Sequence, residues 1–235
     1  MDKTGKSGNR AAESRKVKTG ISEFDYSVGG GIVPGSAILV RGGTGTGKTI
    51  FCLQYLYNGI KKYGQAGVFL SFNEPKDTIY HHAAQFGWDF KKFENSKFAF
   101  IKYAPHEVEK VMAEGGGTIR DTIESIGATR LVIDSLTAYS ILFENEYRAD
   151  QSILNLFELL RSWNCTTMVT SEKSVDPNVQ DSERLGFLTD GIVNFYHMRK
   201  KTKRHRAFEI VKMRDTRHSD SLYDFSITSN GLTVL

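Results

Sequence analysis

The 235 residues suffice for one α/β domain and are few for two, and a domain of that length buries about 70–75% of its unfolded surface. The longest apolar runs fall far short of the ~20 residues a membrane span needs, and the polar, basic start MDKTGKSGNRAAESRKVK lacks the apolar core of a secretory signal. A net charge of +4 permits an anionic partner without demanding one, while two cysteines, Cys52 and Cys165, form no framework and no metal spacing, so a reduced, cytoplasmic protein is expected.

In chain order, residues 1–16 read as a disordered basic tail and 17–235 as a single domain. A turn-rich approach, with Gly29-Gly30-Gly31 and Pro34-Gly35, leads to a short apolar strand over Ala37–Val40. That strand stops at glycines, and Gly42, Gly47, Lys48 and Thr49 fill the pattern G-x-x-x-x-G-K-[ST], a phosphate-binding loop opening a helix. Glycines let the backbone curl so that successive N–H groups point at phosphates, and the helix that follows adds the positive end of its dipole. The stretch Gly43, Thr44, Gly45, Thr46, Gly47, Lys48, Thr49 and Ile50 is therefore the expected nucleotide contact. Within it the Lys48 ammonium reaches the β- and γ-phosphates and the Thr49 hydroxyl ligates Mg²⁺. Ile50, Leu53, Tyr57 and Ile60 fall on one face of the helix after the loop, as the motif requires.

Strands are expected at Val68–Phe72, Phe98–Ile101, Leu131–Ile133 and Thr167–Thr170. Between them, helical stripes run through Ile79, Ala83 and Phe86, through Ile119, Ile123 and Ile126, and through Ile153, Leu156, Phe157, Leu160 and Trp163. This alternation means a mostly parallel sheet covered on both faces. Past Gly191 the period shortens: Ile192–Tyr196, Ala207–Lys212, Phe225–Thr228 and Leu232–Val234 read as strands closing the sheet in antiparallel hairpins.

Asp134 ends an apolar strand at its carboxyl end, where open α/β sheets place ligands, and is the expected second Mg²⁺ residue. The competing reading is an Asp that caps the following turn. Hydrolysis also needs a group that orients the attacking water. After Phe72 stand Asn73-Glu74-Pro75, and Glu74 is the carboxylate there, either catalytic or the N-terminal charge of the next helix. The six histidines form no metal pattern.

The chain resembles the KaiC family, the cyanobacterial clock ATPases and their archaeal single-domain relatives. The likeness is carried by Phe24-Asp25, by Thr44–Thr49 through Phe69–Glu74 to Phe86-Gly87-Trp88, by Ile133–Thr137 and by Lys212–His218. It implies a RecA-like P-loop NTPase fold, ATP with Mg²⁺, and a ring, expected to be a hexamer, with nucleotide at subunit interfaces. In that setting Lys212, Arg214 and His218 reach the neighbouring subunit's nucleotide; without the resemblance Lys212–Arg214 reads as a solvated strand end. Two departures stand out. Asn73 occupies the position of the family's first glutamate, and an amide can hold a water but not accept its proton, so slow hydrolysis or a non-hydrolysing ATP sensor is expected. Asp215 stands where the family tends to have glycine.

Arg199–Arg206 carries six Lys/Arg in eight residues, expected at a hairpin tip. Nucleic acid is a possible but unfavoured partner, because no aromatic residues interleave with the charges to stack bases; a DNA-dependent repair ATPase is the matching alternative. The polar loop Ser171–Arg184 would face the pore of such a ring. A regulatory role through a protein partner is the expectation, with the partner's identity open.

Overall fold

The structure, a computed structural model, describes residues 16–104, 107–108, 110–111, 114–176, 186–200 and 202–235. The expected tail lies outside the described residues up to position 15, as does the stretch 177–185 of the polar loop. Among the described residues nine strands form one sheet, in the order β3-β2-β4-β5-β1-β6-β7-β8-β9. The strands are β1 (Ala37–Arg41), β2 (Ala66–Ser71), β3 (Phe98–Lys102), β4 (Ala128–Asp134), β5 (Thr166–Ser171), β6 (Gly191–Lys200), β7 (Lys203–Met213), β8 (Tyr223–Thr228) and β9 (Gly231–Val234). Pairing is parallel from β3 to β6 and antiparallel from β6 to β9. β1 and β2 are buried along their whole length, which is why they read as continuous apolar runs.

The helices are α1 (Ser22–Ser27), α2 (Lys48–Tyr63), α3 (Lys76–Ala84), α4 (Gly117–Ile126), α5 (Leu136–Ser140) and α6 (Glu146–Ser162). They divide the apolar side chains into two cores. On one face Phe24, Phe51, Leu53, Phe69, Phe195 and Phe208 pack together around α2. On the other Leu39, Leu131, Ile133, Ile153, Leu156 and Leu160 pack under α6.

Three features differ from the periodicity of the sequence. α2 is buried on more than one side: Phe51, Cys52, Tyr55 and Leu56 are fully buried, while Ile50 and Tyr57 of the expected stripe are only half-buried. The amino-terminal segment and β9 cover the helix, and the Gln54 amide bonds both the carbonyl and the N–H of Leu232. The hairpin strands β6 and β7 run further than expected, so Arg199, Lys203, Arg204 and Arg206 are strand residues rather than a hairpin tip. Asp215 follows β7 with φ +55°, in the left-handed region that favours glycine and that Asp tolerates better than most residues.

Arg130 on β4 is fully buried. Its guanidinium donates to the carbonyls of Tyr55 (2.9 Å) and Lys18 (2.7 Å) and to the Gln65 side chain, and lies 4.4 Å from the Tyr55 ring. This satisfies its donors and tethers α2 to the sheet. Gly59 makes the close approach possible, since a Cβ there would sit 2.5 Å from the Arg130 Cδ and Nε. Although Ala is the better helix former by roughly 1 kcal/mol, Gly59→Ala is expected to destabilise the fold by about 1–3 kcal/mol. Urea unfolding measures this, and a variant more stable than the wild type would contradict the packing described.

Candidate nucleotide site

β1 delivers the chain to Gly42, whose N–H donates to the Ser171 carbonyl at the end of β5 (3.2 Å). A Cβ on Gly42 would lie 2.4 Å from the Phe195 carbonyl, so only glycine passes here. Gly45 and Gly47 take φ of +75° and +105°, curling the loop into the start of α2. The first turn of α2 holds no acidic residue, which leaves its positive dipole end to an anion. Lys48 is buried, and its ammonium donates to the carbonyls of Gly42 (2.8 Å) and Gly43 (3.0 Å). Burial pushes its pKa down, opposed first by the Glu172 charge and then by Asp134. Arg206, reaching inward from β7, donates from Nε to the Gly45 carbonyl at 3.2 Å.

Thr49 and Asp134, predicted as a pair, meet: Thr49 Oγ1 donates to Asp134 Oδ2 at 2.8 Å. On the other oxygen, Thr170 Oγ1 donates to Asp134 Oδ1 at 2.6 Å. Capping of α5 falls to Ser135, whose Oγ accepts from the Ala138 N–H, so Asp134 does not serve as that cap. A carboxylate and a hydroxyl side by side are hard oxygen donors that suit Mg²⁺, which keeps its other positions for phosphate and water. Among the described residues no group of three or more His, Cys, Asp or Glu side chains could hold a metal.

The turn after β2 is fastened to the site by its backbone, with the Phe72 N–H donating to the Asp134 carbonyl (2.9 Å) and Ser71 Oγ donating to the Glu74 carbonyl (2.7 Å). Asn73 is exposed there. The Glu74 carboxylate lies 3.5 Å from His82 Nδ1 of α3, and the acidic residue in the first turn of α3 is Asp77.

Lys212 and Arg214 sit elsewhere. Met213 between them pairs with Gly191, which pairs with Ile38, at the end of β1 opposite the phosphate loop. The Lys212 ammonium donates to the carbonyls of Gly186 (2.7 Å) and Thr189 (2.6 Å), and Arg214 to those of Phe187 (3.0 Å) and to the Asp190 carboxylate (3.4 Å). Burial first, then repulsion from Arg214, lowers the Lys212 pKa. His218 is half-buried, its Nδ1 3.3 Å from the Ser219 carbonyl oxygen.

Three residues at the site escaped the motif reading: Thr170, Glu172 and Arg206. The rule that singles out Asp134, a polar residue at the carboxyl end of a central strand, also points to the first two. A cleft of about 430 Å³ lies beside the loop, lined by Gly43, Thr44, Thr46, Glu172, Ser174 and Arg204 among others. A larger hollow of about 640 Å³ lies against α3, between Asp77, Tyr80 and Trp88, and takes in none of these residues.

Known proteins share this arrangement. The family model described as ATPase: KaiC matches residues 17–235. The circadian clock oscillator protein KaiC of Parathermosynechococcus lividus is 33% identical over 229 residues, covering 93% of this chain and 42% of that protein. The chain thus spans less than half the length of that relative. The UPF0273 protein PH0284 of Pyrococcus horikoshii is 32% identical over 236 residues, 94% of either chain. The crystal structure of the KaiC-like protein PH0186 from the same archaeon superposes with a TM-score of 0.83 at 35% identity, covering 94% of this chain and 99% of that one. With its phosphate loop, its Asp134 strand end and its antiparallel carboxyl-terminal strands, this chain belongs to the KaiC ATPase family.

Proposed function

We propose that the protein is a slow, Mg²⁺-dependent ATPase that works as a ring, with ATP at subunit interfaces and a regulatory output to a protein partner. The observation that carries the reading is the Thr49–Asp134 contact beside a loop in which a buried lysine already points its ammonium inward. On binding, Lys48 leaves the Gly42 and Gly43 carbonyls for the β- and γ-phosphates, and the loop N–H groups close on the same anion. Thr49 and Asp134 would hold Mg²⁺, which would supply charge neutralisation on the transferring phosphoryl group. Asn73 and Glu74 are the water-orienting groups of the turn after β2, and the amide at the first of these positions is the reason for slow turnover.

The ring is supported by where the cations lie. Ile38 and Arg41 are three residues apart, about 10 Å along β1, so Lys212 and Arg214 stand away from their own phosphate loop and serve a neighbour's nucleotide. Beside them Phe187 and Val211 are exposed, at 63% and 46%, an apolar surface next to charge that suits a subunit contact. A cation supplied in trans makes hydrolysis depend on assembly.

Phosphate release from MgATP at ring-forming concentrations tests the reading. The wild type is expected to turn over slowly, Lys48→Ala to lose both binding and turnover, and Asn73→Glu to gain at least about tenfold. Unchanged ATP affinity in Lys48→Ala would remove the site; a silent wild type with an active Asn73→Glu would make the protein an ATP sensor. Thr170→Val keeps the shape and removes one hydrogen bond to Asp134. Its Mg²⁺ requirement for nucleotide binding should rise roughly tenfold, with the melting temperature little changed, and an unaltered Mg²⁺ requirement would separate Thr170 from the metal site.

A further inference from the structure

In the turn after β2 the first position is Asn73, an amide that cannot take a proton, while the Glu74 carboxylate lies 3.5 Å from His82 Nδ1. A second carboxylate stands on the other side of the site. Glu172 follows Ser171, the last residue of β5, whose carbonyl receives the Gly42 N–H. Glu172 thus leaves the carboxyl end of β5 two residues beyond Thr170, which holds Asp134. It lies about 7 Å further along the chain, level with the phosphate loop rather than with the metal pair. Its backbone is pinned there by the Glu172 N–H donating to Thr137 Oγ1 at 2.8 Å. The side chain is exposed and lines the cleft that Gly43, Thr44 and Thr46 border. Its charge acts on the Lys48 ammonium, the group that seeks the β- and γ-phosphates.

We propose that Glu172 is the catalytic carboxylate of this site, facing the position of the γ-phosphate and accepting the proton of the attacking water. This rests on the ATPase reading above. The water oxygen forms a bond to the γ-phosphorus as the bond from that phosphorus to the β–γ bridging oxygen breaks. The electron pair of the broken bond leaves on ADP. One water proton passes to the Glu172 carboxylate and is then returned to the departing phosphate, so ATP and water give ADP and inorganic phosphate with Glu172 regenerated. Before the attack the carboxylate repels the γ-phosphate, a cost Lys48 offsets, and this repulsion gives a binding signature that ADP lacks.

The test compares wild type and Glu172→Gln in phosphate release and in equilibrium binding of MgATP and MgADP. Gln keeps the backbone contact to Thr137, and an unchanged melting temperature checks the fold. Glu172→Gln is expected to turn over about 100-fold more slowly while binding MgATP at least about threefold tighter and MgADP unchanged. Wild-type turnover in Glu172→Gln overturns the assignment. A wild type that binds MgATP without turnover defeats the hydrolytic reading instead. In that event an ATP-over-ADP preference gained in Glu172→Gln supports the placement at the γ-phosphate, and an unchanged preference overturns it.

Discussion

One carboxylate joins the parts of this site. Asp134 accepts from Thr49 with one oxygen and from Thr170 with the other, so the phosphate-loop helix and the ends of β4 and β5 are held as a unit. The contact is possible because β1, β5 and β4 lie side by side in parallel register, with Arg41 opposite Ser171 and Ile133 opposite Val169. A slip of one residue in either pairing would turn every second side chain to the wrong face and separate the three groups. The register is itself set by the buried apolar runs of these strands, packed between two cores. Burial of hydrocarbon in the middle of the sheet thus decides where a hydroxyl meets a carboxylate at its edge.

The rest of the chain keeps α2 in place. Arg130 bonds it from the sheet side, Gln54 receives β9 along its flank, and Phe24 packs on Phe51 with ring centres 5.0 Å apart. The hairpin strands contribute to the same end, since Arg206 holds the Gly45 carbonyl while Phe225 and Ile227 pack beneath Gly47. A basic segment that reads in the sequence as a solvated turn therefore has its root in the phosphate loop. The outer part of the hairpin, including Lys203 and Arg204, is exposed.

Legibility in the sequence followed the range of the physics. The phosphate loop could be read because its glycines and lysine act over eight consecutive residues, and the structure curls them as the motif demands. The strands and helices could be read because their periods are local. Asp134 could be read as a strand-end acid, though its choice between metal and turn cap needed Ser135 to be seen capping α5. What stayed hidden depends on partners far along the chain. Arg41 and Arg130 look like surface charges and are almost wholly buried, one against Asn194 and the other against backbone carbonyls of α2 and residue 18. Glu172 looks like the start of a polar loop until β5 is placed next to β1. The roles expected of Lys212, Arg214 and His218 came only from family likeness, since they would concern a second copy of the chain.

The account stands on a nucleoside triphosphate seated in the loop with its metal between two strand ends. A crystal structure of the protein with Mg²⁺ and a non-hydrolysable ATP analogue tests that most directly. The account predicts phosphates inside the loop, the Lys48 ammonium moved from the Gly42 and Gly43 carbonyls onto them, and the ion touching Thr49 with Asp134 alongside. Nucleotide bound elsewhere, or an ammonium still on the two carbonyls beside an occupied loop, would contradict it.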